Sequence, residues 1–127
     1  VFRQDKSVEY EYMSAACLEI YELEPKQVMK NAQLIYDCIH PDDRENFYAA
    51  ARRSSQTLEP FAREWRIVTP SGKIKWLQGT SRPERRENGD IVWHGVAIDV
   101  SDRKRVQEEL AQAKEAAEAA NRAKSIF

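Results

Sequence analysis

The sequence predicts an α+β fold: a five-stranded antiparallel sheet with short helices on one face, plus a long C-terminal helix. Three observations carry this reading. After Pro60 the apolar period becomes two and holds to Val100. Before Pro60, short apolar groups are separated by helix-start residues such as Pro25 and Pro41. After Ser101, glycine and proline vanish and the apolar residues recur at alternating spacings of four and three. The 127 residues therefore divide into one domain over 1–100 and a helical element over 101–127.

Taken in order, Val1 to Gln4 and Glu9 to Met13 read as two short strands around the polar turn Asp5-Lys6-Ser7. Ser14 is placed to cap a helix over Ala15 to Tyr21, which puts Cys17, Leu18 and Tyr21 on one face. Pro25 opens a second short helix through Met29, and Leu34-Ile35-Tyr36 with Ile39 forms an apolar patch. His40-Pro41-Asp42-Asp43 has the chemistry of a helix start: proline in the first turn and acids at the positive end of the dipole. That helix should run to about Ser54, with Phe47, Ala50 and Ala51 inward. Phe61 to Thr69, Ile74 to Ser81 and Ile91 to Val100 are three strands of a meander. Pro70-Ser71-Gly72-Lys73 joins the first two, and Glu87-Asn88-Gly89-Asp90 carries the Asn-Gly hairpin signal.

Composition narrows the function. Charged residues make up 32% of the chain but the net charge is only -1, which argues against general nucleic-acid binding. No apolar run approaches the roughly 20 residues that cross a bilayer, and no signal peptide opens the chain, so a cytoplasmic location without membrane contact is expected. Val1 falls inside a strand pattern and Phe127 inside a helix pattern, as in a segment of a longer chain. Cys17 and Cys38 stand in apolar surroundings without CxxC spacing and read as buried thiols of a reducing compartment.

Glu64-Trp65-Arg66, Ser71-Gly72, Lys75-Trp76, Asn88-Gly89, Gly95 and Ile98-Asp99-Val100-Ser101-Asp102-Arg103-Lys104 together resemble the C-terminal half of PAS domains of the PAS-3, PAC-containing type. His40-Pro41-Asp42-Asp43 is similar to the motif before the long helix of those domains, so the resemblance covers Val1 to about Lys104. The tail Asn121-Arg122-Ala123-Lys124-Ser125-Ile126-Phe127 resembles the segment before the phosphoacceptor helix of bacterial sensor histidine kinases, often hybrid ones. The resemblance implies a five-stranded sheet used for sensing and dimerisation, with Asp99 coupling the last strand to the outgoing helix.

No catalytic set is visible: no nucleophile, base and orienter, and no phosphate-binding glycine loop, so the fragment is not expected to be an enzyme. Neither His40 nor His94 has a partner at metal-ligand spacing, and no metal site is expected. A haem-binding relative would carry its histidine on the helix after Pro41, and none stands between Asp42 and Ser55. Alignment on flavin-binding relatives puts Ile67, Leu77 and Ala97 where polar amides would stand, and Ala32 where the reactive cysteine would. Neither haem nor flavin is therefore expected.

By alternation, Trp65, Ile67, Leu77, Gly79, Gly95 and Ala97 share the face under the helices. The small residues leave room for an unknown small ligand, or Phe47 and Tyr36 fill it. Val68, Trp76, Val96 and Ile98 fall on the opposite face, which is too apolar for a solvated one. A second copy of the domain or a preceding helix is expected to cover it. Arg82, Arg85 and Arg86 alternate with Glu84 and Glu87 and read as a self-paired edge.

Asp99, Ser101 and Arg103 form the expected signal junction, where a carboxylate can bond backbone N–H groups or an arginine and set the exit angle of the helix. Beyond it, Val106, Leu110, Ala113, Ala117, Ala120, Lys124 and Phe127 form a heptad seam. Too little of it is apolar for a lone helix, which points to a homodimer. The expected role is the regulatory sensor and dimerisation module of a two-component sensor histidine kinase, with the kinase domain downstream in the same chain. The alternatives are a ligand-free dimerisation scaffold, or a PAS regulator of another output such as a cyclic-dinucleotide enzyme or a phosphatase.

Overall fold

The computed structural model describes residues 1–125. Its elements run α1 (Ala16–Tyr21), α2 (Pro25–Lys30), α3 (Gln33–Asp37), α4 (Pro41–Thr57), β1 (Phe61–Val68), β2 (Ile74–Arg85), β3 (Ile91–Asp99) and α5 (Ser101–Ser125).

The helix starts follow local chemistry. At α2, Gln27 Oε1 reaches back to accept the Glu24 N–H at 2.9 Å, with Pro25 in the first turn. At α4, His40 is the cap and its ring Nδ1 accepts the Asp42 N–H at 3.1 Å. Ser14 does not cap α1: Ala15 holds the cap position without a side-chain bond. The apolar patch at Leu34 to Tyr36 coils into α3. Both α1 and α4 end on a residue in the left-handed region, Glu22 and Leu58.

The meander forms as the periodicity predicts, in the order β1-β2-β3 and antiparallel throughout. Trp65 stands opposite Leu77, Arg66 opposite Trp76, and Gly79 opposite Ala97. Gly89 takes a φ of 91° in the turn before β3, a conformation that favours glycine. β2 runs on to Arg85, past Ser81, where the sequence pattern ends it. Pro83 is tolerated there because β1 ends opposite Ser81, so no neighbour on that side asks for its missing N–H. On the outer edge of β1, His40 N–H donates to Arg66 O (2.9 Å) and Val68 N–H donates to Cys38 O (2.7 Å), so that edge is covered.

The sheet has three strands among the described residues, not five. The two N-terminal segments make only isolated bridges, Phe2 with Val8 and Phe2 with Ile91. Arg3 and Asp90 add side-chain bonds to this corner. Tyr10 to Met13 make no backbone ladder, because the hairpin touches β3 only at its first residue.

The core lies between the helices and the inner face of β1 and β2. Val28, Ile39, Ile67 and Leu77 are its fully buried side chains, joined by Cys17, Tyr21, Ile35, Cys38, Phe61 and Trp65. α5 leaves this body with no buried residue of its own. No helix among the described residues is long and apolar enough to cross a membrane.

Candidate functional site

Three places follow from the alternation of side chains along the meander: a cavity on the inner face, a charged surface on the outer face, and the junction where β3 becomes α5.

The cavity is an open one of about 1940 Å³, walled among others by Tyr10, Tyr36, Phe47, Trp65, Trp93 and Ala97. One wall is a set of aromatic rings. Trp65 meets Phe47 edge-on at 5.0 Å and Phe61 at 5.9 Å, and Phe47 meets Tyr36 at 6.2 Å. Burial raises the pKa of the Tyr10 and Tyr36 hydroxyls, so they remain neutral donors. Burial likewise pushes up the Cys17 and Cys38 thiols, which disfavours the reactive thiolate. Trp93 Nε1 donates to Ser54 Oγ at 3.0 Å, and Ser54 Oγ donates to Glu59 O at 2.6 Å.

Of the residues expected to line the cavity, Trp65, Gly79, Gly95 and Ala97 do so. Ile67 and Leu77 are not on its wall; both are fully buried beneath it in the packed core. The glycines do not open the space their size implies. A Cβ on Gly79 would lie 2.4 Å from Trp65 Cη2, so Gly79 is the seat of the indole. A Cβ on Gly95 would lie 2.2 Å from the Thr80 carbonyl, so Gly95 permits the close approach of β2 and β3.

On the outer face, Val68 and Trp76 are half-buried while Val96 is 71% and Ile98 52% exposed. Two cations lie over the Trp76 ring, the Arg66 guanidinium at 5.5 Å and the Lys104 ammonium at 4.7 Å from its centroid. Asp43, in the first turn of α4, accepts from Arg66 three times: backbone N–H at 2.7 Å, Nε at 3.0 Å and Nη2 at 2.9 Å. These hydrogen bonds hold the Asp43 carboxyl below its ordinary value.

At the junction, Asp99 Oδ1 accepts the Ser101 N–H at 2.9 Å. Ser101 Oγ accepts the Trp76 N–H at 2.9 Å, and the Val100 N–H donates to Trp76 O at 2.8 Å. Both backbone groups of Trp76 are thus tied to the start of α5. Arg103 bonds Glu64 Oε1 at 2.7 Å, and Lys104 Nζ lies 2.5 Å from Glu64 Oε2. Lys104, then Arg103, lowers the Glu64 pKa. Asp99 and Ser101 bond each other here, while Arg103 pairs with Glu64 instead. Asp43, Glu64, Arg66 and Lys104 are the members that sequence reasoning missed. Glu64 and Arg66 alternate with Trp65 and so share the face of Val68, but nothing in the sequence says where Asp43 and Lys104 land on it.

Further along α5, Val106 and Leu110 are 59% and 69% exposed, and Ala113, Ala117, Ala120 and Lys124 are exposed as well. None of the described seam residues is buried against the domain. Phe127, the seam's last expected member, lies outside the described residues. Arg86 pairs with Glu11 of the N-terminal segment, not with Glu84 or Glu87. Among the described residues, no group of three or more His, Cys, Asp or Glu is placed to hold a metal.

The PAS fold family profile matches residues 10–97. A probable diguanylate cyclase of Escherichia coli is 31% identical over 98 residues, which is 76% of this chain and 9% of that protein. A blue-light-activated histidine kinase of Brucella ovis is 31% identical over 94 residues, 74% of this chain and 18% of that protein. A solved structure of a sensory box histidine kinase/response regulator from Burkholderia thailandensis shares the fold with a TM-score of 0.57 and 30% identity. The match covers 65% of this chain and 64% of that one. The chain spans less than a fifth of the length of these curated relatives. With the profile covering more than half of its residues, and the meander, the His40 helix start and the Asp99 junction all in place, the chain belongs to the PAS fold family, as a PAS domain of the kind carried by bacterial sensors.

Proposed function

We propose that this chain is the regulatory sensor and dimerisation module of a cytoplasmic two-component sensor histidine kinase, relaying a change in the PAS core through the Asp99 junction into α5. The observation that carries the reading is the double tether at Trp76. Its N–H and C=O bond Ser101 and Val100, so a shift of the central strand of the meander is passed directly to the helix root. The relatives that are histidine kinases support the output, and so does the resemblance of the Asn121 to Phe127 tail.

In this reading residues 1–100 sense and residues 101–127 form one strand of a coiled coil with a second copy. The exposed Val106 and Leu110 favour that pairing, and so does the outer-face patch of Val96 and Ile98. Alanine and lysine dominate the seam, so alternative helix registers lie within a few kcal/mol of each other. The kinase domain lies downstream in the parent chain, and the module contacts neither nucleic acid nor membrane. Neither haem nor flavin is required. The cavity takes a small apolar ligand or works filled by its own rings, and Trp65 seated on Gly79 favours the filled form.

A second reading is supported by the diguanylate cyclase relative: the same module regulating a cyclic-dinucleotide enzyme. Asp99→Ala in the parent protein separates the two. Altered signal-dependent autophosphorylation from ATP supports the kinase, altered cyclic-dinucleotide synthesis supports the cyclase, and an unchanged response of either output sinks the relay.

A further inference from the structure

We propose that Asp43, Arg66, Trp76, Lys104 and Glu64 form a bracket across the outer face, by which the position of α4 sets how firmly the root of α5 is docked. This deepens the relay reading above and rests on it, but it runs through a different set of residues from Asp99.

The two ends of the bracket belong to helices with different neighbours. α4 walls the cavity with Phe47, Tyr48 and Ala51, and its first turn holds Asp43. Asp43 fixes the Arg66 guanidinium with two of its three bonds, which aims the cation at the Trp76 ring. Lys104 approaches the same ring from α5. A displacement of Asp43 therefore moves or frees Arg66 and changes what the ring offers to Lys104.

The α5 root is the element with two states. Arg103 and Lys104 lie in the first turn of a helix, where the positive end of the macrodipole disfavours cations. The acid of that turn, Asp102, is exposed and pairs with Arg105. Glu64, on β1, is thus the counter-charge that holds Arg103 and Lys104 in place. With no buried residue anywhere on α5, its docking rests on this root: Glu64, the Trp76 ring, and the two backbone bonds of Trp76. Loss of any of them lets the first turn open locally without unfolding the core.

The test is amide hydrogen exchange on the 127-residue chain. Asp43→Asn keeps the shape of the side chain and removes the charge that anchors Arg66. It should speed exchange at Trp76 and over Val100 to Arg105 by about three- to tenfold, in the lower part of the range expected for directly coupled groups. Amides of Ile67 and Leu77 should keep their wild-type rates. Unchanged exchange at the α5 root overturns the bracket. Where the core also loosens, Trp76→Leu decides. In that background Asp43→Asn should add nothing at the root, and an equal effect in both backgrounds overturns the proposal. Because the readout needs no output domain, a parent protein that ignores Asp99→Ala sinks the relay alone, and an indifferent α5 root sinks the bracket alone.

Discussion

The two faces of β1 and β2 are one residue apart in sequence and hold different things together. Trp65, Ile67 and Leu77 point inward and are buried among apolar side chains, while Glu64, Arg66 and Trp76 point outward and meet charges. The inner contacts are numerous, non-directional and not screened by salt. The outer ones are few, directional and screened by ions. One strand pair thus carries the stability of the fold on one side and the attachment of α5 on the other. The proposed relay gains from that division, because it lets α5 be released at little risk to the domain.

The largest effect should come from emptying the inner face. Leu77 has no exposed surface, and Leu77→Ala removes packing on both Ile67 and Trp65 sides of the core. A loss of about 2–5 kcal/mol is expected, seen as a lower denaturant midpoint at an unchanged slope. The α5 root should remain docked in the folded fraction. A loss below that range would show that the core collapses around the gap.

Overfilling the same face should cost less. Gly79→Ala places a methyl 2.4 Å from Trp65 Cη2, and the ring is hemmed in by Phe47 and Phe61. The expected penalty is about 1–3 kcal/mol in thermal unfolding, with a changed near-ultraviolet spectrum as the indole moves. A neutral substitution would mean that Trp65 swings freely into the cavity, and that the cavity rather than the ring occupies this space.

The inner face was the more legible of the two in the sequence. Period-two alternation marked Trp65, Ile67 and Leu77 because burial selects side-chain type residue by residue. The Asn88-Gly89 turn and the His40-Pro41 helix start were legible for the same local reason. Less legible was what the small residues do, since Gly79 makes room for the Trp65 ring, which its size alone does not say. The N-terminal strands were misjudged because a strand needs a neighbour along its length, and the hairpin meets β3 only at Phe2. The outer face was the least legible. Asp43 and Arg66 are 23 residues apart in a chain rich in both charges, so no local pattern singles out that pair. Glu64 and Lys104 meet only because α5 leaves the sheet at a particular angle, which depends on the bonds of Trp76, Val100 and Ser101.

The smallest expected effect, and the one that separates the faces most directly, is that of acid. The Asp43 carboxyl is held below its ordinary 3.8 by its bonds from Arg66, and the Glu64 carboxyl below its ordinary 4.5 by Lys104 and Arg103. A carboxyl whose folded pKa is lowered contributes stability above its unfolded value and loses it as pH falls through the folded value. The outer face should therefore stay intact from neutral pH down to about the ordinary carboxyl range, then loosen below it. Ile67 and Leu77 carry no titrating group and should not respond at that point. Trp76 and Leu77 are adjacent residues on opposite faces, so their resonances in one titration compare the two directly. The Trp76 indole and amide signals should move first, at a pH where the Leu77 methyl signals are still native. High salt, about 1 M, shortens the screening length to roughly 3 Å and should weaken the Glu64 and Asp43 pairs before any acid is added. Trp76 and Leu77 signals that moved together through the whole acid range would mean that the faces do not open separately, and that α5 cannot be released without loosening the domain that holds it.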